Sequence, residues 1–124
     1  MTTTEFQQAK LDRFTRAIEA ANTWLDAEVA DEYKEQPLAQ DWARVCKLAE
    51  ELGETVTALI GYTSQNPRKG TYSSKDEMLG ELADCALTAI YAVQHFTGDA
   101  KVTMGIIQDK AAYHLQRVGL STDG

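Results

Sequence analysis

The sequence predicts an all-α protein, a four-helix bundle built from one domain over residues 1–124. Three observations carry that prediction. Apolar residues recur at helical spacings of three and four in four separate stretches. The breaks between the stretches hold Pro, Gly and Ser, residues that end helices. Two prolines in 124 residues leave room for helices of 20 residues or more, in a length that suits a single domain.

The first helix is expected from about Glu5 to Ala30, opened by a capping box of Thr4 with Gln7, with Phe14, Ala17, Ile18, Ala21, Trp24 and Leu25 as its stripe. The charged, aperiodic stretch Asp31 to Pro37 reads as a connection. Trp24 and Trp42 flank it as anchors of a core or an interface. The second helix should run from Leu38 to Tyr62, with Val45, Leu48, Ala49, Leu52, Val56, Leu59 and Ile60 as its buried stripe. Ser64 to Ser74 has loop composition, and Arg68 and Lys69 on it read as a solvated basic pair. Ser74 with Glu77 caps a third helix from Lys75 to Phe96, apolar round most of its circumference and so expected to be buried on several sides. Gly98 ends it. Asp99 caps a fourth helix that Gly119 terminates, with Val102, Ile106, Ile107, Ala111, Leu115 and Val118 spaced along it.

A formal charge of −7 argues against a nucleic-acid backbone as partner, because that surface needs concentrated basic charge. It leaves open a phosphate ester held through metal ions. MTTTEFQQAK lacks a basic region followed by an apolar run, and no stretch approaches the ~18 apolar residues of a membrane span, so a cytoplasmic protein without membrane contact is expected. Cys46 and Cys85 lack C-x-x-C spacing and read as small residues of a reduced interior.

The chemistry concentrates in two helical segments. Glu51 and Glu54 lie three apart on the second helix, and Glu81 and Asp84 three apart on the third, so each pair shares a helix face. Side by side, the two helices could bring four carboxylates together, a donor set suited to hard cations such as Mg²⁺. On the second helix alone, Glu51 and Glu54 point away from the apolar stripe, as a solvated face would. On the third, Glu81 and Asp84 fall in a narrow polar strip with Glu77, Thr88 and His95, where unpaired charge is costly and calls for basic partners or metal. The fourth helix carries Lys110, His114 and Arg117 on one face, cations suited to phosphate oxygens or, at the last turn, to the helix dipole.

E-E-L-G-E at Glu50 to Glu54 and E-L-A-D at Glu81 to Asp84, with 26 residues between, resemble the EExxE…ExxD signature of the MazG-type all-α nucleoside triphosphate pyrophosphohydrolases. The resemblance covers the chain from Trp42 to Arg117. It implies a helical bundle assembled as a homodimer or homotetramer, dependent on Mg²⁺ or Mn²⁺, that hydrolyses a nucleoside triphosphate to the monophosphate and pyrophosphate in clearing the nucleotide pool. By position, Glu51, Glu54, Glu81 and Asp84 match the family's metal ligands, Glu50 adjoins them, and Glu50 or Glu51 would accept the proton of the attacking water. Lys110 and Arg117 match its substrate-holding residues. His114 stands where the family usually has Asn.

Other readings share these residues. A nucleotide- or metal-binding regulatory module would bind without turnover, a phosphoribosyl-ATP pyrophosphohydrolase would use related motifs, and a purely structural oligomer would gain nothing from Mg²⁺. A di-iron bundle lacks its Glu-x-x-His pairs, since neither His95 nor His114 has a Glu three residues before it.

Overall fold

The computed structural model describes residues 1–122, and those residues form four α-helices with no strand among them. They are α1 (Thr3–Ala27), α2 (Pro37–Thr63), α3 (Lys75–Thr97) and α4 (Ala100–Arg117), with one short 3₁₀ turn at Asp31–Tyr33. The capping box of α1 lies two residues earlier than the sequence suggested. Thr2 accepts from the Glu5 amide and Glu5 returns a bond to the Thr2 amide, so Glu at the third helical position outcompetes the Gln of the Thr4 alternative. Pro37 starts α2 at a position where its missing N–H costs nothing. Ser74 accepts from the Glu77 amide to open α3, but the Glu77 carboxylate takes the neighbouring Ser73 hydroxyl rather than closing a reciprocal box. Gly98, at φ +70°, ends α3 in the left-handed conformation, and Asp99 accepts from the Lys101 and Val102 amides to begin α4.

Helices α2 and α3 form the tightest pair, an antiparallel hairpin, while α1 and α4 lie against α3 and against each other. At one end His95 Nε2 meets Asp41 Oδ1 at 2.7 Å. At the other the returning loop folds onto α2: the Tyr72 amide donates to the Gly61 carbonyl and its hydroxyl to that of Thr57. Gly61 is required there, since a Cβ would come within 2.5 Å of the Tyr72 ring. Arg44 joins α1 to α2, donating to Asn22 Oδ1 at 3.1 Å and to Asp26 Oδ1 at 2.6 Å. Where α3 meets α4, Thr103 donates to Gln94 Oε1 at 2.7 Å and shares a hydrogen bond with Thr97, which satisfies two of the few fully buried polar side chains.

The core is small. Ile18, Ala58 and Ala100 are the buried apolar residues among those described. Helix α3 has α1, α2 and α4 against it but is half-buried along most of its length rather than buried: Gln94 is its one buried residue, and Leu79, Leu82 and Phe96 are exposed. Most of the apolar stripe expected to hold α2 in the core faces outward, with Val45, Ala49, Leu52, Val56 and Leu59 exposed, while Leu48 and Ile60 are half-buried. The physical reason is a shortage of cover, because the backbones of α1 and α4 pack on α3 and not on α2, and α1 meets α2 through the Arg44 side chain rather than over this stripe. Cys46 is likewise exposed and Cys85 half-buried, both as free thiols. Among the described residues, no helix is long and apolar enough to cross a membrane.

Candidate metal centre

What faces inward along α2 is Asp41, Arg44, Leu48, Glu51, Thr55 and Ala58, each half-buried or buried and spaced by alternating steps of three and four. Glu51 therefore points into the hairpin, and its side chain is 13% exposed. Along α3 the facing set is Glu81, Cys85, Thr88, Ala92 and His95. The two stripes, with the exposed Asp84 at the edge of the second, bring one carboxylate oxygen each from Glu51, Glu81 and Asp84 to within 4.8 Å of one another, the one such group among the described residues. Glu81 Oε2 is shielded from solvent and has no hydrogen-bond partner. An oxygen in that condition is expensive, and a cation would relieve it. Three carboxylates, with no sulfur or imidazole beside them in the group, fit a hard divalent ion such as Mg²⁺ rather than a soft one.

Glu54 and Glu50 lie outside this group and are exposed. Glu50 instead takes an ion pair from Lys47 Nζ at 2.9 Å, and the same ammonium stands 3.6 Å from Glu51 Oε1. The hydrogen bond that Lys47 donates to Glu50, reinforced by the charges of both carboxylates, holds the Lys47 ammonium above the usual lysine range. Lys47 sits three and four positions before Glu50 and Glu51, an ion-pairing distance on a helix that the sequence displays.

Beside the carboxylates opens a cleft of about 690 Å³ between α1, α2 and α3. Glu51, Asp84, Lys47 and Arg44 line its polar part, and Trp24, Leu25, Leu87 and Tyr91 are among its apolar walls. That volume falls in the range of small-molecule sites, with the expected mixture of apolar wall and a few convergent polar groups. Tyr91 and the α1 residues Leu25, Glu28 and Val29 were not singled out from the sequence as site residues; only the packing of α1 across the hairpin reveals them.

The cations of α4 are elsewhere. Lys110 lines a separate, shallower depression with Ile106, Asp109 and Tyr113. Lys110 and Arg117 both lie over the Tyr113 ring, at 5.6 and 5.8 Å from its centre, and His114 is exposed beside it. Within one chain none of the three lines the cleft. No protein-family model, curated protein or solved structure matches this chain.

Proposed function

We propose that this chain is a Mg²⁺-dependent nucleoside triphosphate pyrophosphohydrolase of the MazG type, working as a homodimer or homotetramer. The observation that carries the reading is the meeting of Glu51, Glu81 and Asp84 at the polar end of an apolar cleft, with one shielded carboxylate oxygen left unpartnered. Bound there, Mg²⁺ would supply neutralising charge for a triphosphate and lower the proton affinity of a coordinated water.

The chain's own residues do the rest. Trp24, Leu25, Leu87 and Tyr91 offer flat apolar walls to a nucleobase, excluding water from it. Arg44 and Lys47 line the same cleft and place positive charge where phosphate oxygens would lie. Glu54, on the exposed side of α2, would join the ligand set by turning its side chain toward Glu51. Glu50 or Glu51 accepts the proton of the attacking water on a carboxylate oxygen. Catalysis is then placement and electrostatics, with attack at the α-phosphorus releasing pyrophosphate. Lys110, His114 and Arg117 face another part of the surface, so in this reading they reach substrate from a second copy of the chain.

The test is hydrolysis of a panel of ribo- and deoxyribonucleoside triphosphates with and without Mg²⁺, with products identified. Monophosphate and pyrophosphate are expected. Diphosphate and orthophosphate would refute attack at the α-phosphorus, and tight Mg²⁺-dependent binding without turnover would make the chain a regulatory nucleotide-binding module.

A further inference from the structure

Five charged residues line the cleft, and four of them are already engaged. Arg44 donates to Asn22 Oδ1 and Asp26 Oδ1, Lys47 pairs with Glu50 and Glu51, and Glu51 and Asp84 belong to the carboxylate group. Glu28 is the fifth. Among the described residues its carboxylate meets no cation and accepts no hydrogen bond. It also stands at the wrong end of its helix. Glu28 is the C-cap of α1, whose last turn carries no basic residue, and a negative charge there opposes the helix dipole. Arg44 answers Asp26 in that turn, but nothing in the chain answers Glu28. A local preference broken without compensation is characteristic of functional positions.

The cleft has a direction. Helices α2 and α3 are antiparallel, and seven residues separate Glu51 from Arg44 and Asp84 from Tyr91, so Arg44 and Tyr91 stand about 10 Å along the hairpin from the carboxylates. The bonds from Arg44 to Asn22 and Asp26 bring the α1 residues between these two, Trp24 and Leu25, to the same level. A nucleotide with its phosphates at the carboxylate end lays its base here. Glu28 follows Trp24 by one turn on the same side of α1 and lines the same cleft. We propose that Glu28 selects guanine nucleotides, its two carboxylate oxygens accepting from the N1–H and the 2-amino group of the base. A carboxylate offers acceptors and no donor. Among the common bases guanine sets two N–H donors side by side on its pairing edge, and the two oxygens meet them in parallel. Adenine and cytosine place a ring-nitrogen lone pair beside their amino group, and uracil and thymine flank their N–H with carbonyls, so each turns a lone pair toward the second oxygen. Thr88, also on the cleft, can donate or accept and rejects no base in this way. The selection rests on the nucleotide reading of the cleft, though on neither its metal nor its hydrolysis.

Monophosphates without metal therefore supply the test. In a Trp42→Phe chain Trp24 is the sole tryptophan, and a base stacked against it should quench its emission. Titrated in EDTA, GMP should bind about 10-fold more tightly than AMP, CMP or UMP, the scale of one bidentate pair, with IMP, which lacks the 2-amino group, between them. Glu28→Gln retains one acceptor and gains a donor, so the order should reverse: GMP weakens, while AMP and CMP, whose edges present a donor beside an acceptor, gain. A structural or purely electrostatic role for Glu28 would move all five nucleotides together. Equal affinities in the chain that retains Glu28 overturn the proposal, as does a GMP preference that survives Glu28→Gln, or a failure of all five to bind. In each of those cases the triphosphate panel still decides the hydrolase reading by itself. GMP-selective binding, reversed by Glu28→Gln, in a chain that hydrolyses no triphosphate would retain the role of Glu28 and remove the hydrolase.

Discussion

The two faces of the α2–α3 hairpin invert the usual relation between polarity and burial. On the cleft side the chain turns carboxylates and cations inward, leaving Glu51 13% exposed and Arg44 11% exposed. On the other it leaves Leu38 70% exposed and Trp42 64% exposed. A single chain gains nothing from that arrangement. It is understandable if each face is completed by something outside the chain: the polar one by a cation and an anionic ligand, the apolar one by a second copy. Charge burial is tolerated when a counter-charge is supplied, and apolar exposure when a partner covers it.

The sharpest way to break the comparison is to disable one face and ask whether the other notices. Asp84→Asn removes a charge from the carboxylate group but is exposed, so helical content and assembly mass should be unchanged while Mg²⁺-dependent turnover falls by about 100-fold or more, the scale of losing one electrostatic stabiliser. Retained turnover would sink the metal assignment. Glu54→Gln, tested beside it, decides whether the acid outside the group belongs to the ligand set.

Arg44→Met tests what holds the cleft shut. The guanidinium is nearly buried and donates to two groups on α1, so its loss should cost about 1–3 kcal/mol and lower the melting temperature, with Asn22 losing its partner. Nucleotide binding should weaken while the Mg²⁺-induced rise in melting temperature persists. Loss of the Mg²⁺ effect as well would mean that α1 helps to build the metal centre and not just the cleft.

Glu81→Gln should do the reverse. It replaces a shielded, unpartnered carboxylate oxygen, crowded by two like charges, with an amide that can donate to them. Without Mg²⁺ the variant should be more stable, by about 1 kcal/mol or roughly 4 °C. The stabilisation by Mg²⁺ should vanish, because a ligand that no longer binds the folded state no longer raises its melting point. A drop in metal-free stability would show that Glu81 is already satisfied as it stands.

Part of this could be read from the sequence. Periodicity and end signals located all four helices, because Ser74, Gly98 and Asp99 act locally and need no tertiary context. The pairing of Glu81 with Asp84 was legible for a similar reason, since i and i+3 share a helix face, but the same spacing joined Glu54 to Glu51, and Glu54 lies outside the group. The direction in which α2 turns was not. Hydrophobic periodicity finds the most apolar stripe and assigns it to the core, but here the stripe with Arg44, Leu48, Glu51 and Thr55 packs inward and the apolar one is left over. Only the absence of a helix across that face, a property of how α1 and α4 pack, reverses the assignment. The cleft was hidden too, because its walls come from three helices far apart in the chain.

The smallest effect should come from Lys47→Met, and it is the most discriminating. Lys47 lies beside Glu50 and Glu51 and gives the acids a partial counter-charge without metal. Its ammonium is pushed upward in pKa by Glu50 first and Glu51 second, so the interaction is fully present below the ordinary lysine value near 10.5 and is lost as pH climbs through the raised one. Between pH 7 and pH 9 the substitution should therefore lower metal-free stability slightly and by the same amount. If Mg²⁺ and Lys47 compete for the same carboxylates, the variant should gain more from Mg²⁺ than the wild type does, although it begins less stable. If Lys47 instead serves the phosphates, the Mg²⁺ gain should match that of the wild type and nucleotide affinity should fall. Calorimetric melts with Mg²⁺ alone, and then with Mg²⁺ and a non-hydrolysable triphosphate, separate a lysine that stands in for the cation from one that works alongside it.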